Sequence, residues 1–335
     1  MTKYVLLFAL FLASCSGDKK LIKNHTTGNA LGTTYSIIYL SRIEQDFKQD
    51  IDSVFQVINQ SMSTYMPDSD ISKINRGERI MVDAMFAEVF QLAKMVHAQS
   101  NGYFDPTIGK LVNAWGFGPE KKMSLDSTKV DSLLQFVGFD KVRITQENMI
   151  EKTHPEIYID FNAIAKGYAI DRLGVMLQQK GIENYLVEVG GEVLTKGINQ
   201  NTKKKWTVGI DDPQVETGRR LKKIISLKDQ ALASSGNYRK FRFDSITGEK
   251  YVHTIDPKTG FTKNSNILAV SIIANDCATA DAYATALMAM DFEVAQALLK
   301  NHKKLEGYII YIDDKGETLE FMTQGFKVLL RPIAS

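Results

Sequence analysis

The stretch Tyr185-Leu186-Val187-Glu188-Val189-Gly190-Gly191-Glu192-Val193-Leu194-Thr195-Lys196 decides the class of fold. It reads as two short β-rich segments, 185–189 and 192–196, parted by turn residues. Before it stands a predicted helix, from about Ala163 to Gln179 and closed at Gly181. After it come residues 206–210, 222–227, 238–243 and 251–255, each short, β-rich and bounded by turn residues. Strands that arrive in a block favour an α+β fold with mixed or antiparallel sheets over a doubly wound parallel one.

The elements on either side agree. Residues 31–40 carry Tyr35, Ile37, Ile38 and Tyr39 and read as a strand. Ile43, Phe47, Ile51, Val54, Phe55 and Ile58 follow at spacings of three and four, the period of a helix packed by one face. Asp83 is placed to cap a helix carrying Phe86, Val89, Phe90, Ala93 and Val96, which Asn101-Gly102 ends. A short helix is predicted over 127–137, and strands over 141–145 and 156–160. Toward the C-terminus a strand at 268–273, helices at 278–290 and 292–300, and strands at 307–312 and 318–321 complete the chain. No linker interrupts the body, so any two lobes are intimately packed.

The 335 residues are 44% hydrophobic and 24% charged, an ordinary globular balance that argues against disorder, collagen or a polytopic membrane protein. A net charge of only +2 disfavours a general nucleic-acid binder. The only cysteines, Cys15 and Cys277, exclude a disulfide-stapled scaffold and a zinc site built mainly of thiolates.

The N-terminus has a basic start at Lys3, an apolar run from Tyr4 to Ala13, and then Leu12-Ala13-Ser14-Cys15. This is the pattern of a secretory signal, and the run falls short of the ~20 residues a spanning helix takes. Small residues ending at a cysteine resemble a bacterial lipobox. The expectation is a signal peptide over 1–14, lipidation at Cys15, a polar tether over 15–27, and a body over 28–335 held at a membrane outside the cytoplasm.

Phosphate-binding, dinucleotide, zinc-protease and nucleophile-elbow signatures are absent. What remains is a series of polar and glycine clusters of the sort that carry function in loops. They are Met62–Tyr65, Gly102–Gly109, Asp160–Gly167, Ser234–Arg239, His253–Gly260 and Ala278–Thr285. At the second last, His253 is a candidate general base three residues before Asp256-Pro257, within what also reads as a tight turn. Asp160 precedes a predicted helix, whose start offers free N–H groups to an anion, and Lys166 could reach a phosphate. Read alone, the same residues fit a helix cap and a surface lysine. Asp281 and Thr285, four apart on a helix, present a carboxylate and a hydroxyl to one side, enough for a hard cation; a surface acid and a self-bonded threonine fit equally. Ser234-Ser235-Gly236 could face a phosphate or start a turn. Tyr65, Tyr103 and Phe104 could stack on a flat ring or fill a core.

In their order along the chain these clusters resemble the ApbE family, periplasmic and often lipid-anchored FAD:protein FMN transferases. The most specific pieces are Phe104-Asp105-Pro106-Thr107-Ile108-Gly109 with Trp115-Gly116-Phe117-Gly118, then Ala165-Lys166-Gly167, Val189-Gly190-Gly191-Glu192, Ser235-Gly236-Asn237-Tyr238, His253 with Asp256-Pro257-Lys258-Thr259-Gly260, and Ala280-Asp281-Ala282 with Thr285. The resemblance implies FAD bound between two lobes of an α+β fold. It implies Mg²⁺ held by Asp281, Thr285 and a backbone oxygen at Ala163. Flavin contacts would fall at Leu31, Tyr65, Tyr103, Phe104, Asp105, Asp160, Lys166 and Ile255, and His253, with Asp256 near it, would take the acceptor's proton. Leu31 stands where the family usually has Met, and Ser234 where Thr is common. The implied reaction moves FMN from FAD to a Thr or Ser hydroxyl of a flavoprotein subunit of a membrane redox complex, releasing AMP. A Mg²⁺-dependent FAD pyrophosphatase and a non-catalytic FAD-binding lipoprotein are the rival expectations.

Overall fold

A computed structural model describes residues 20–213, 220–236, 241–243, 250–252, 254–263 and 265–332. In chain order its elements are β1 (Ile22–Ala30), β2 (Thr33–Ser41), α1 (Lys48–Met62), α2 (Asp70–Asn75), α3 (Ala84–Gln99), α4 (Gly109–Ala114), α5 (Ser127–Leu134), β3 (Val142–Ile144), β4 (Ile150–Lys152), α6 (Ala165–Gln179), β5 (Tyr185–Val189) and β6 (Glu192–Lys196). Then follow β7 (Trp206–Asp211), β8 (Leu221–Leu227), β9 (Ala231–Gly236), β10 (Phe241–Phe243), β11 (Lys250–Val252), β12 (Ile267–Ala274), α7 (Cys277–Met288), α8 (Phe292–Asn301), β13 (Glu306–Ile312), β14 (Thr318–Met322), α9 (Gln324–Lys327) and β15 (Leu330–Arg331).

The fold is α+β, built on an eight-stranded sheet in the order β1-β2-β5-β6-β9-β12-β13-β14. Its ladders are antiparallel throughout. Strand alternation divides its side chains between two cores. Tyr35, Ile37, Tyr185, Val187, Val189 and Ile272 enter the larger one, which the helices cover. Val193, Leu232, Ile273 and Ile310 enter the smaller one, with Val208 and Ile225 of the β15-β8-β7 sheet. At about 25 cal/mol per Å² of apolar surface, this burial is the main force holding the layers together.

Helix α7 is buried almost all round, and its alanines let it lie close to neighbouring elements. Two acids fix its start. Asp276 accepts from Thr279 N at 2.8 Å, and Asp171 of α6 accepts from Cys277 N and Ala278 N, each at 2.8 Å. These satisfy N–H groups that a helix leaves unpaired.

Several expectations need correction. Residues 22–27, expected as tether, belong to β1, which pairs with β2 over its whole length. An edge strand with one wet face can be as polar as a linker, which is why composition misled. His25, placed by the same reading in the tether, bonds across to Ser36 Oγ at 2.9 Å. Residues 156–160 form no strand. Tyr158 makes one isolated bridge to Ile108, and the side chain of Asn75 takes the place of a strand partner, accepting from Ile159 N at 2.8 Å and donating to Ile159 O at 2.9 Å. Ser234-Ser235-Gly236 is not a loop but the end of β9. Helix α1 begins at Lys48, leaving Ile43 outside it and exposed. The expected signal peptide, Cys15, His253 and residues 237–240 lie outside the described residues.

Candidate active site

A cavity of about 970 Å³ opens where the hairpin turns of the sheet meet the helical layer. That volume reaches the upper end of small-molecule and cofactor sites, roughly 300–1,000 Å³. Leu31, Tyr65, Tyr103, Phe104, Asp105, Asp160, Ala163, Lys166, Ile255, Asp281 and Thr285 all line it. Asp256 does not. Its carboxylate accepts from Lys258 N at 2.9 Å inside its own turn, while Thr254, Ile255 and Pro257 face the cavity.

Each lining residue is delivered by a definable local structure. Leu31 and Gly32, both at positive φ (51° and 72°), make the two-residue turn between β1 and β2. Phe104 is buried, and its carbonyl accepts from His97 Nδ1 at 2.8 Å. Asp105 uses Oδ1 on its own loop, accepting from Thr107 N (2.8 Å) and Thr107 Oγ1 (2.6 Å), while Oδ2 accepts from Phe139 N (3.0 Å) and ties that loop to the segment after α5. It therefore shapes the wall. Asp160 accepts from Asn162 N at 2.7 Å and Asn162 Nδ2 at 3.1 Å, and burial raises its carboxyl above the ordinary range. Tyr103 carries the ammonium of Lys258 3.8 Å from its ring centroid, a cation–π contact between two loops of the rim. Tyr65 is largely exposed beside them, its phenol raised first by burial and then by Asp160.

The charged centre is a group of three, with Glu192 and Asp281 buried and Lys166 about a third exposed. Lys166, in the first turn of α6, has its Nζ 2.9 Å from Glu192 Oε1. Asp281 on α7 accepts from Gly167 N at 3.1 Å. Glu192 Oε2 is buried with no hydrogen-bond partner. Burial, and after it the Asp281 carboxylate, pushes Glu192 well above the usual carboxylate range. Asp281 is raised by burial, with Lys166 opposing. Burial lowers Lys166, but Glu192 and Asp281 together outweigh it and hold the ammonium charged.

The donor set suits a hard cation. Asp281 offers a buried carboxylate, Thr285 a hydroxyl one turn on, and Ala163 lines the same cavity. Among the described residues no three His, Cys, Asp or Glu side chains group to enclose a metal by themselves. A cation here would take its other oxygens from substrate and water. From sequence alone, Glu192 is named only within Val189-Gly190-Gly191-Glu192 and is given no role at the site. Its signal was an acid directly after the Gly190-Gly191 turn, heading a β-rich segment that continues with apolar Val193 and Leu194.

Carboxylates and an ammonium beside aromatic rings suit proteins that hold a flat-ringed, phosphate-bearing ligand. Residues 31–309 match the ApbE family, and the chain belongs to that family. It is 34% identical to the FAD:protein FMN transferase of Vibrio cholerae, covering 96% of each chain, and 32% identical to that of Haemophilus influenzae, covering 92% of this chain and 91% of the relative. Among solved structures it is similar to the flavin transferase ApbE from Vibrio cholerae, with TM-score 0.82 and 33% identity over 92% of this chain and all of that one. The apo flavinyl transferase ApbE of Pseudomonas stutzeri gives TM-score 0.81 and 27% identity over 92% of this chain and 97% of that one.

Proposed function

We propose that this chain transfers FMN from FAD to a Thr or Ser hydroxyl of an acceptor flavoprotein and releases AMP. The observation that carries the reading is the Lys166–Glu192–Asp281 group on the wall of a cavity of cofactor size, in a chain of this family.

In the reaction the acceptor oxygen forms a bond to the FMN phosphorus, and the bond from that phosphorus to the bridging oxygen breaks. AMP departs with the bridging oxygen. The hydroxyl proton passes to a base, the role proposed for His253. Asp281, Thr285 and the Ala163 carbonyl would hold Mg²⁺, which when bound offsets diphosphate charge. Lys166 adds an ammonium that Glu192 keeps oriented, so less side-chain freedom is lost when the diphosphate arrives. Tyr65, Tyr103 and Phe104 supply apolar ring faces for the flavin or adenine, and Leu31 and Ile255 close the same wall. Asp256 stabilises the turn that follows His253.

We also propose that Cys15 carries lipid, that the body lies on the periplasmic side of a bacterial membrane, and that the acceptor belongs to a membrane redox complex. The basic, apolar and small-residue order of residues 1–15 supports this placement.

The test is to incubate the chain with FAD, Mg²⁺ and candidate flavoprotein subunits and to weigh the subunits. An FMN adduct on a Thr or Ser is expected. Release of FMN and AMP with every subunit unlabelled would instead assign FAD hydrolysis.

A further inference from the structure

Strand β6 accompanies β9 for only two residue pairs, Val193 with Leu232 and Leu194 with Ala231. Strand β9 runs on to Gly236, paired on its other side with β12. The chain of β6 instead turns back at Gly190-Gly191 into β5. Ser234 to Gly236 therefore have β12 on one side and, among the described residues, no strand on the other.

The direction of the backbone groups follows from one hydrogen bond. Thr195 N donates to Gln230 O at 2.9 Å, so the groups of Gln230 point toward β6. Along a strand this direction alternates, which sets Leu232, Ser234 and Gly236 the same way. The N–H and C=O groups of Ser234 and Gly236 thus point into the space that β6 vacates. Ser234 is exposed, Ser235 and Gly236 are partly so, and all three line the cavity. The devices that usually block an open edge, a lysine, a proline or a bulge, are missing from this one.

We propose that this edge docks the acceptor protein, an extended hydroxyl-bearing segment of which adds beside β9 as a strand. The proposal rests on the transferase reading above. An acceptor hydroxyl carried on polypeptide must reach into the cavity, and an extended chain is the slimmest form in which it can. Pairing at Ser234 and Gly236 fixes the register of that chain, and register decides which face every side chain takes. The gap opens beside Glu192, the first residue of β6, which holds Lys166. A strand laid there has its residues next to the charged group.

Hydrogen exchange on the full chain tests this. The FMN-adduct assay first fixes the acceptor and its labelled residue. The probe is the 15-residue acceptor segment centred on that residue, with the residue changed to Val. Exchange of the Ser234 and Gly236 amides is expected to slow by about 10-fold or more on adding the probe, while Ser235, already facing β12, changes little. Gly236→Pro, which removes one outward N–H, is expected to raise the KM for the acceptor about 10-fold. Unchanged exchange at both amides with labelling intact overturns the edge alone. Protection of both amides by FAD without the probe also overturns it, since these groups would then serve the diphosphate. No adduct on any acceptor overturns the transferase reading, and the docking with it.

Discussion

The backbone N–H of Gly167 donates to the carboxylate of Asp281 at 3.1 Å, joining the first turn of α6 to the helix that carries Asp281 and Thr285, the proposed cation ligands. Only a glycine allows the approach. A Cβ on residue 167 would lie 2.4 Å from the carbonyl oxygen of Cys277 and 2.8 Å from Ala278 Cα, both fixed backbone atoms. Gly167→Ala is therefore expected to push the helices apart and destabilise the fold by about 1–3 kcal/mol. Urea unfolding measures the loss, and transfer activity is expected to fall with it because Asp281 moves.

Removing Lys166 leaves Glu192 and Asp281 buried without their cation. Lys166→Met is expected to cost about 3 kcal/mol, the scale of breaking a buried ion pair by one partner. Adding Glu192→Gln in that background is expected to recover part of the loss. A double-mutant cycle read by chemical denaturation gives the coupling, and additivity would show that the two side chains act independently.

Stability should depend on pH through Glu192. Its carboxyl is raised in the fold, so the fold binds its proton more tightly than the unfolded chain does. The sign follows from linkage. The contribution is fully present below the ordinary carboxylate range and is lost as pH climbs through the raised value. Glu192→Gln is expected to flatten the decline of unfolding free energy above that range, measured from pH 4 to pH 9. A parent and variant with parallel profiles would remove Glu192 as the titrating group.

Asp281→Ala removes the one carboxylate of the proposed cation set. The rate of AMP release is expected to fall by about 10²-fold or more, the scale of losing a group that stabilises transition-state charge. Calorimetry with Mg²⁺ and FAD supplies a second reading, in which the heat of cation binding disappears.

Much of the fold could be read from the sequence because its signals are local. Asp83 caps α3 as expected, accepting from Phe86 N at 2.7 Å, and Gly181 closes α6 at φ +78°. The block of short strands after α6 is itself the mark of an α+β fold. Edge strand β1 was missed because its polarity mimics a tether, and β9 because Ser234-Ser235-Gly236 carries turn composition while β12 supplies its pairing. Long-range partners decide such segments, and propensity does not report them. At the site, eleven of the expected residues meet on one cavity, but Glu192 joins through a contact to Lys166, 26 positions earlier, that no local pattern announces. Asp256 bonds within its own turn, as an Asp before Pro readily does, and Asp105 adds to such a local bond to Thr107 a long-range one to Phe139 N.

The most direct test of FMN transfer counts both products of one reaction. The full chain, FAD, Mg²⁺ and an acceptor subunit are incubated together, AMP is quantified, and FMN-bearing acceptor is quantified by intact mass. The account predicts one AMP for every adduct, with the adduct on a Thr or Ser and absent when that residue is changed to Val. AMP accumulating with free FMN and no adduct would contradict it.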